Sequence, residues 1–397
     1  MGLTAVKDNI YWVGAVDWDI RDFHGYSTYK GTTYNAFLAI DEKIALFDTV
    51  KSNFKENLLY HIRELTDPKS IDYLIVNHVE MDHSGCLPEI IKEVQPEKIF
   101  CSPMGEKALN SHFDTKGWPI QVVKSGDTLS LGKKTVTFLE TKMLHWPDSM
   151  FSYIAEDKLL ISSDAFGQHI ASTERYVDEL ALGEVMTHAA KYYANILHLF
   201  SPNVQKLLQQ VGELGLEIDM IAPDHGLIWR GNPGEIIAAY DRWSRRETKR
   251  KALVIYDSMW KSTTKMACAI AGAISREGVS VKMMNLAVNH RSDIMTEVLD
   301  CRALVFGSPT LNNGILPRMA DFITYLKGLR PKGKIGAAFG SFGWSGEAVK
   351  HLNAAMEAME ISLVDEGLRV KNVPKDEDFA KCKELGKKIG LAVVGMG

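Results

Sequence analysis

The sequence predicts an α/β protein of two domains, and three observations support this prediction. A chain of 397 residues is longer than a single hydrophobic core usually requires. The first half is rich in short strands, whereas the second half alternates regularly between apolar strands and helices. A charged run at residues 241–251 lies between them and is typical of a solvated helix end and linker. We therefore place the boundary near residue 249, which gives domains 1–249 and 250–397.

The second domain is predicted to be a parallel sheet with helices on both faces. Apolar stretches predict strands at 252–256, 280–286, 303–307, 335–340 and 361–370, and helical patterns lie near 263–277, 292–300, 317–328, 346–359 and 376–391. Strands joined by helices in this way run parallel and are buried on both faces. A domain of about 150 residues with this order fits the flavodoxin-like, doubly wound class.

The first domain is predicted to contain many short strands and fewer helices. Strand patterns lie at 9–16, 36–48, 135–140 and 158–162, and helical patterns at 87–94 and 184–200. A further apolar run at 71–76 predicts a buried strand directly before the most polar segment of the domain.

Composition disfavours several classes of function. The net charge of -4 carries no basic excess, which argues against a nucleic-acid partner. No apolar stretch reaches membrane-spanning length and residues 1–7 lack a signal-peptide pattern, so we expect no membrane association and a cytoplasmic location. The five cysteines are scattered and form no Cys-x-x-Cys pair, which disfavours a disulfide framework, a zinc ribbon and a four-cysteine iron site.

Four potential metal ligands lie within six residues directly after the strand at 71–76. They are His78, Glu80, Asp82 and His83. Two imidazoles and two carboxylates this close together repel and desolvate one another unless a cation holds them. The carboxyl end of a strand is also where α/β enzymes place their chemistry. Mixed carboxylate and imidazole ligands suit iron or manganese as well as zinc, so the metal stays open at this point.

Three later residues occupy similar positions at the ends of apolar strands. His145, Asp164 and His225 each stand where a strand gives way to a turn. With the first cluster they supply four His, one Glu and two Asp, which is enough for two metals bridged by one carboxylate. The remaining histidines of this kind are interpreted as structural and left out, namely His61, His112, His169, His188, His198, His290 and His351.

These motifs resemble the metallo-β-lactamase fold as it is modified in flavodiiron proteins. Hydrolases of that fold carry His-x-His-x-Asp-His, whereas Glu80 occupies the second His position here. A carboxylate adds charge and a hard oxygen ligand, which favours iron over zinc. The resemblance implies an N-terminal αββα sandwich in which His78, Glu80 and His145 hold one iron. It implies that Asp82, His83 and His225 hold the other, with Asp164 as the bridge.

Three loops of the second domain are candidates for flavin binding. The first follows the strand at 252–256 and precedes a helix, a position where backbone N–H groups can hold a phosphate, although Ser and Thr there are also common helix caps. No dinucleotide fingerprint is present, which favours a mononucleotide. The resemblance implies FMN, with the phosphate on Ser258, Met259, Trp260, Lys261, Ser262 and Thr263. It places the flavin ring against Ser308, Pro309, Thr310, Leu311, Asn312, Asn313 and Gly314, and against Gly340, Ser341, Phe342, Gly343, Trp344 and Gly346. Trp260 and Lys261 stand where some flavodoxin loops have Gly.

The resemblance implies reduction of dioxygen to water, of nitric oxide to nitrous oxide, or of both, at a diiron site fed by FMN. Because the chain has no Cys-x-x-Cys pair for a fused rubredoxin domain, we expect a separate rubredoxin as electron donor, in preference to a reduced deazaflavin. The expected assembly is a head-to-tail homodimer or a dimer of such dimers. His24 and Tyr193, or its neighbour Tyr192, are candidate proton donors, with ordinary packing as the alternative.

Two other functions remain as alternatives. The first is a metallo-β-lactamase-type zinc hydrolase with an appended flavodoxin module, which would turn over an ester, thioester or lactam without a reductant. The second is a non-catalytic electron carrier or gas-sensing module, which steady-state consumption of gas would exclude.

Overall fold

The computed structural model describes residues 4–396 and divides the chain into two compact units. One unit runs up to Tyr193 and includes Phe200–Asp241, and the other consists of Ala194–Leu199 and the chain from Arg242 onward. The boundary near residue 249 stays a prediction. Residues 1–3, the start of the segment that lacks a signal-peptide pattern, lie outside the described residues, as does residue 397. Between residues 4 and 396, no helix is long and apolar enough to cross a membrane.

The first unit is built mainly from two sheets. Its strands are β1 (Thr4–Lys7), β2 (Ile10–Trp12), β3 (Ala15–Asp17), β4 (Asp22–Phe23), β5 (Tyr26–Ser27), β6 (Thr32–Tyr34), β7 (Phe37–Ile40), β8 (Ile44–Phe47), β9 (Tyr73–Val76), β10 (Lys98–Cys101), β11 (Ile120–Val122), β12 (Thr128–Ser130), β13 (Thr135–Glu140), β14 (Met150–Ile154), β15 (Leu159–Ile161), β16 (Met220–Ala222) and β17 (Trp229–Arg230). The first sheet has the order β1-β2-β7-β8-β9-β10-β11 and the second the order β12 to β17, while β3–β6 and β4–β5 form two small pairs.

The first unit also contains helices. They are α1 (Lys55–Arg63), α2 (Met81–Ser84), α3 (Leu87–Val94), α4 (Pro103–His112), α5 (Leu182–Tyr192), α6 (Ser201–Glu213) and α7 (Gly234–Ser244), the last of which continues past Asp241.

The alternation of side chains between the two faces of each strand explains how the sheets and helices form layers. Phe47 of β8 belongs to the same buried cluster as Phe138 of the second sheet. Its neighbour Leu46 points to the opposite face and belongs to a second cluster with Leu58 of α1 and Ile90 of α3. Successive side chains of a strand point to opposite faces, so a run that is apolar throughout is buried on both.

The outer face of the second sheet meets α6 and α7. Leu160 of β15 lines a small apolar cavity together with Leu207 of α6 and Ile237 of α7. The order of layers is therefore helix, sheet, sheet, helix, which is the αββα sandwich expected for this half.

Several predicted elements of the first unit are divided in the structure. The strand expected at 9–16 breaks at Gly14, where a Cβ would collide with the carbonyl oxygen of Tyr34, so β2 and β3 join different sheets. The strand expected at 36–48 is the antiparallel hairpin β7–β8. The helix expected at 184–200 starts as α5, widens into a π-helical turn at Tyr193–Leu197 and ends as a 3₁₀ turn at His198–Phe200.

The second unit has the doubly wound topology that its sequence predicts. Its strands are β18 (Lys251–Tyr256), β19 (Ser280–Asn285), β20 (Ala303–Gly307), β21 (Ile335–Phe342), β22 (Ser362–Leu363) and β23 (Leu368–Lys371), and its helices are α8 (Ser262–Arg276), α9 (Arg291–Val298), α10 (Pro317–Leu329), α11 (Ala348–Ala358) and α12 (Asp376–Gly395). All pairings are parallel in the order β19-β18-β20-β21, with β22 and β23 both on β21. The strand predicted at 361–370 is thus two short strands. The direction in which successive strands are added to the sheet reverses between β18 and β20. Ligands of such sheets bind at that switch point.

Two glycines let α12 pack closely against α8. A Cβ on Gly386 would lie 2.5 Å from the carbonyl oxygen of Ile270, and one on Gly390 would lie 2.7 Å from the Cβ of Glu277. The helix backbones therefore approach more closely than any larger residue allows, and α12 holds α8 firmly in place.

Gly386→Ala should destabilise the second unit, because the added methyl group would push α12 away from α8. Overpacking of this kind costs about 1 to 3 kcal/mol, and differential scanning calorimetry would detect the lower melting temperature. Gly272→Ala on α8 is the matched control. Its new Cβ would meet no described atom within 4 Å, so the better helix propensity of alanine should stabilise the protein by up to about 1 kcal/mol. An unchanged melting temperature for Gly386→Ala would contradict the close packing.

Candidate functional site

A buried carboxylate fixes the segment that carries the first ligands. Asp48 accepts hydrogen bonds from the backbone N–H and the side-chain amide of Asn77, both at 2.7 Å. Burial raises the pKa of Asp48 to about 6, against the lowering effect of these donors. The chain leaves β9 at Val76, passes His78 and turns into α2. Since α2 carries both Asp82 and His83, four candidate ligands are presented within one tight turn.

All seven predicted metal ligands converge in two adjacent groups. One group is His78, Glu80, His145 and Asp164, and the other is Asp82, His83 and His225; in each, the ligand atoms lie within 4.8 Å of one another. The first ligands follow β9 of the first sheet, and His145, Asp164 and His225 follow β13, β15 and β16 of the second. The site therefore lies where the ends of both sheets meet.

Asp164 lies between the two groups and presents one oxygen to each. Its Oδ2 is 3.3 Å from His78 Nε2 and 3.0 Å from His145 Nε2. Its Oδ1 is 3.4 Å from both His83 Nε2 and His225 Nε2. This is the placement that a bridging carboxylate requires, and it agrees with the role predicted for Asp164.

Two members of the second group, Asp82 and His83, lack ordinary hydrogen-bond partners. Among the described residues, neither carboxylate oxygen of Asp82 and neither ring nitrogen of His83 makes a hydrogen bond, although both side chains are buried. Buried polar atoms are normally paired, and a metal ion would satisfy these atoms. Nitrogen and hard oxygen ligands in this ratio fit iron.

Electrostatics also favour cations at the site. Burial by itself would lower the pKa of His83, but the Asp82 and Asp224 carboxylates raise it to about 10. Burial likewise opposes protonation of His145, whose pKa Asp164 raises to about 9. The carboxylates thus outweigh the cost of burial and stabilise positive charge, which bound metal ions supply more fully than protons do.

Hydrogen bonds behind the ligands set the orientation of two imidazoles. Asp148 Oδ2 lies 2.9 Å from His78 Nδ1 and also accepts the N–H of Val79 at 2.8 Å. His225 Nδ1 lies 2.7 Å from the carbonyl oxygen of Thr33. Each bond leaves Nε2 directed into the cluster, an arrangement that fixes the orientation of the ring.

The candidate proton donors differ in their contact with the cluster. His24 is exposed, and its Nε2 lies 3.6 Å from Glu80 Oε1. The hydroxyl of Tyr192 donates to Asp164 Oδ1 at 3.0 Å, whereas the hydroxyl of Tyr193 lies 3.0 Å from Ser201 Oγ. The hydroxyl of Tyr192 thus contacts a predicted metal ligand and that of Tyr193 contacts Ser201, because adjacent helical residues point in different directions. The role of Tyr193 as a proton donor stays a prediction.

Sequence reasoning missed several residues that support the site. His169, interpreted as structural, has its ring centroid 4.8 Å from that of His225 and its Nδ1 2.8 Å from Thr32 Oγ1. Asp224 is fully buried, with an oxygen 3.8 Å from His83 Nδ1. Neither residue has a local signal, since each acts only through contacts that the fold creates.

The three flavin loops meet at the carboxyl edge of the second unit's sheet, around a cavity of about 540 Å³. Predicted residues that line it are Met259, Trp260, Ser262, Pro309, Thr310, Leu311, Asn312, Asn313, Ser341, Phe342, Gly343 and Trp344, and unpredicted ones are Ser345, Asn372 and Val373. The other predicted residues are not among those that line it; they are Ser258, Lys261, Thr263, Ser308, Gly314, Gly340 and Gly346.

Some of these remaining residues shape the loops. Thr263 Oγ1 lies 3.0 Å from Ser341 Oγ and joins the first loop to the third. Lys261 adopts φ 66°, the left-handed conformation that favours glycine. The buried Ser258 Oγ makes no hydrogen bond to a described residue. An apolar cavity beside a helix N-terminus, with an unpaired hydroxyl near it, fits a flat ring that carries a phosphate.

Comparison with known proteins agrees with both halves of this description. The ODP family β-lactamases match residues 32–226 and the flavodoxins match residues 254–386. The chain is 47% identical to a nitric oxide reductase from Moorella thermoacetica, over 98% of each chain. It is similar in structure to the rubredoxin oxygen:oxidoreductase from Desulfovibrio gigas, with a TM-score of 0.98 and 47% identity over 99% of both chains. The flavodiiron protein from Giardia intestinalis gives a TM-score of 0.95 at 34% identity, covering 100% of this chain and 97% of that one.

The chain therefore belongs to the flavodiiron proteins. This confirms the predicted fold class, a metallo-β-lactamase-like sandwich followed by a flavodoxin-like domain. It also supports FMN and a pair of iron ions as the cofactors, which the donor set and the loops fit. The zinc-hydrolase alternative is not favoured, since the relatives named by activity are a reductase and an oxidoreductase.

Asp148→Asn should weaken metal retention by about 10 to 100-fold, the usual effect of losing a carboxylate behind a metal-bound imidazole. Iron per chain, measured by mass spectrometry after dialysis against a chelator, checks this while flavin content stays constant. Asp19→Asn, an exposed change in the same unit, is the control. If Asp148→Asn kept its iron as well as the control does, Asp148 would have no part in holding His78.

Proposed function

We propose that this protein reduces dioxygen to water, nitric oxide to nitrous oxide, or both, at a diiron centre supplied with electrons through FMN. The observation that carries the proposal is the placement of Asp164, with one oxygen toward each of two ligand groups. Glu80 supports it, because a carboxylate stands where zinc hydrolases of this fold carry an imidazole.

When bound, reduced FMN supplies two electrons and the pair of irons supplies two more. Four electrons reduce dioxygen to two waters, and two electrons couple two nitric oxide molecules to nitrous oxide. The protein's residues hold these cofactors and exclude bulk water. Of the seven ligands, only Glu80 and His145 have more than a tenth of their side chain exposed, which leaves one open side for a small gas.

Two residues beside the ligands can donate a hydrogen bond or a proton. Burial raises the pKa of Tyr192 well above its ordinary value, so its hydroxyl keeps a proton and donates it in a hydrogen bond to Asp164 Oδ1. The side chain of His24 is 77% exposed and its Nε2 lies near Glu80, so it can exchange protons with solvent beside the open side of the site. We assign proton entry to His24, and to Tyr192 the role of a neutral hydrogen-bond donor to the bridging carboxylate.

A separate rubredoxin is the electron donor that we favour over a reduced deazaflavin. One structural relative is named as a rubredoxin oxygen:oxidoreductase, and this chain has no Cys-x-x-Cys pair of its own. The assembly that we propose is a head-to-tail homodimer, alone or paired into a dimer of dimers, in which the FMN of one subunit serves the irons of the other. The cytoplasm is the proposed location.

The purified protein should contain iron and FMN and, once reduced, should consume at least one of the two gases. Metal analysis and anaerobic stopped-flow mixing of the reduced protein with dioxygen and with nitric oxide test this, and the faster gas identifies the preferred substrate. Two zinc ions without iron, together with turnover of an ester or lactam in the absence of reductant, would establish the hydrolase alternative instead.

The two cofactor sites should fail separately, because they are held by different hydrophobic cores. Asp164→Ala should lose iron and gas consumption while it retains FMN. Thr263→Val should bind FMN more weakly and keep its iron, since it removes the hydroxyl that joins two flavin loops. Thr324→Val, an exposed change on α10, is the control for the second variant. Full gas consumption by Asp164→Ala would refute the assignment of the bridge.

A further inference from the structure

A buried carboxylate opens the loop that is assigned to the flavin phosphate. Asp257 directly follows β18, its side chain is 2% exposed, and its Oδ1 accepts the N–H of Ser258 at 2.8 Å. A negative charge on Asp257 is unexpected, because the flavin phosphate assigned to the loop is itself an anion. Like charges repel more strongly when one of them is buried and little screened by water.

Arg318 balances this charge. Its Nε donates to Asp257 Oδ2 at 2.9 Å and its Nη2 donates to Asp257 Oδ1 at 3.2 Å, so the pair is bidentate. A bidentate guanidinium both neutralises a carboxylate and fixes its orientation.

The position of Arg318 in its own helix points to the same role. Arg318 lies in the first turn of α10, directly after Pro317. The positive end of the helix dipole disfavours a cation there, and no acidic residue occupies that turn to offset it. Within α10 the arginine is therefore unfavourable, and its partner is the carboxylate at the start of the phosphate loop.

We propose that Arg318 is a determinant of FMN affinity that acts through the phosphate, by cancelling the charge of Asp257 and holding the start of the loop. Arg318 is a positioning residue, since it acts through Asp257. The proposal rests on FMN as the cofactor of the proposed function. It assigns the discrimination between FMN and riboflavin, which lacks the phosphate, partly to a residue outside the cavity.

The test measures flavin affinity of the full-length protein after its flavin is removed, by quenching of flavin fluorescence. Arg318→Met should weaken FMN binding by about tenfold at low salt, with little change for riboflavin. This loss of FMN affinity should become smaller as ionic strength rises. Arg318→Met combined with Asp257→Asn removes both charges and should restore FMN affinity to within about threefold of the original. Retained iron checks that each variant is folded.

Arg291→Met is the control, because it removes another arginine–carboxylate pair of the same helix, in which Arg291 Nη1 donates to both oxygens of Asp321 at 2.7 and 2.9 Å. It should leave both affinities unchanged. An equal loss for FMN and riboflavin, or no recovery in the double variant, would overturn the proposal in favour of a purely structural role. Unchanged FMN affinity in Arg318→Met would overturn it outright. If the unsubstituted protein bound neither FMN nor riboflavin, the assignment of FMN as the cofactor would itself be refuted.

Discussion

Negative charge that is buried at the meeting point of two sheets constrains the whole first unit. Glu80, Asp82 and Asp164 lie within the two adjacent ligand groups, and two further acids, Asp148 and Asp224, contact histidines of these groups. Isolated carboxylates are very costly to bury, and a set of them repels itself. The arrangement becomes favourable only with positive charge between the groups. The sandwich is therefore a scaffold that keeps acids close together until cations bind.

The same constraint connects the two sheets. Ligands that follow β9 belong to the first sheet, and those that follow β13, β15 and β16 belong to the second. Metal ions held in common would add a further link between layers that already contact one another through apolar side chains and through hydrogen bonds such as that from Ser152 Oγ to Asn77 Oδ1. The hydrogen bonds of Asp48 and Asp148 then fix the turn and the imidazole that face the metals. Structure and site thus depend on one another.

Much of the fold and site could be predicted because the signals are local. Each ligand follows an apolar run, and the alternation of the second half specifies a parallel sheet. What could not be predicted depends on contacts between distant segments. The break at Gly14 arises from the backbone of Tyr34, and the partners of Asp148 and Asp224 are far away in sequence. The choice between Tyr192 and Tyr193 depends on the rotation of one helix, which no short motif specifies.

The close contact of α12 with α8 has a consequence at the opposite end of α8. That helix begins at Ser262, within the segment 258–263 that we assign to the flavin phosphate, and Gly386 and Gly390 hold α12 against its later turns. A loop anchored to a fixed helix is already ordered before its ligand arrives. Little conformational entropy is then lost on binding, and more of the interaction energy appears as affinity. Two glycines far from the cavity thereby contribute to preorganisation of the flavin site.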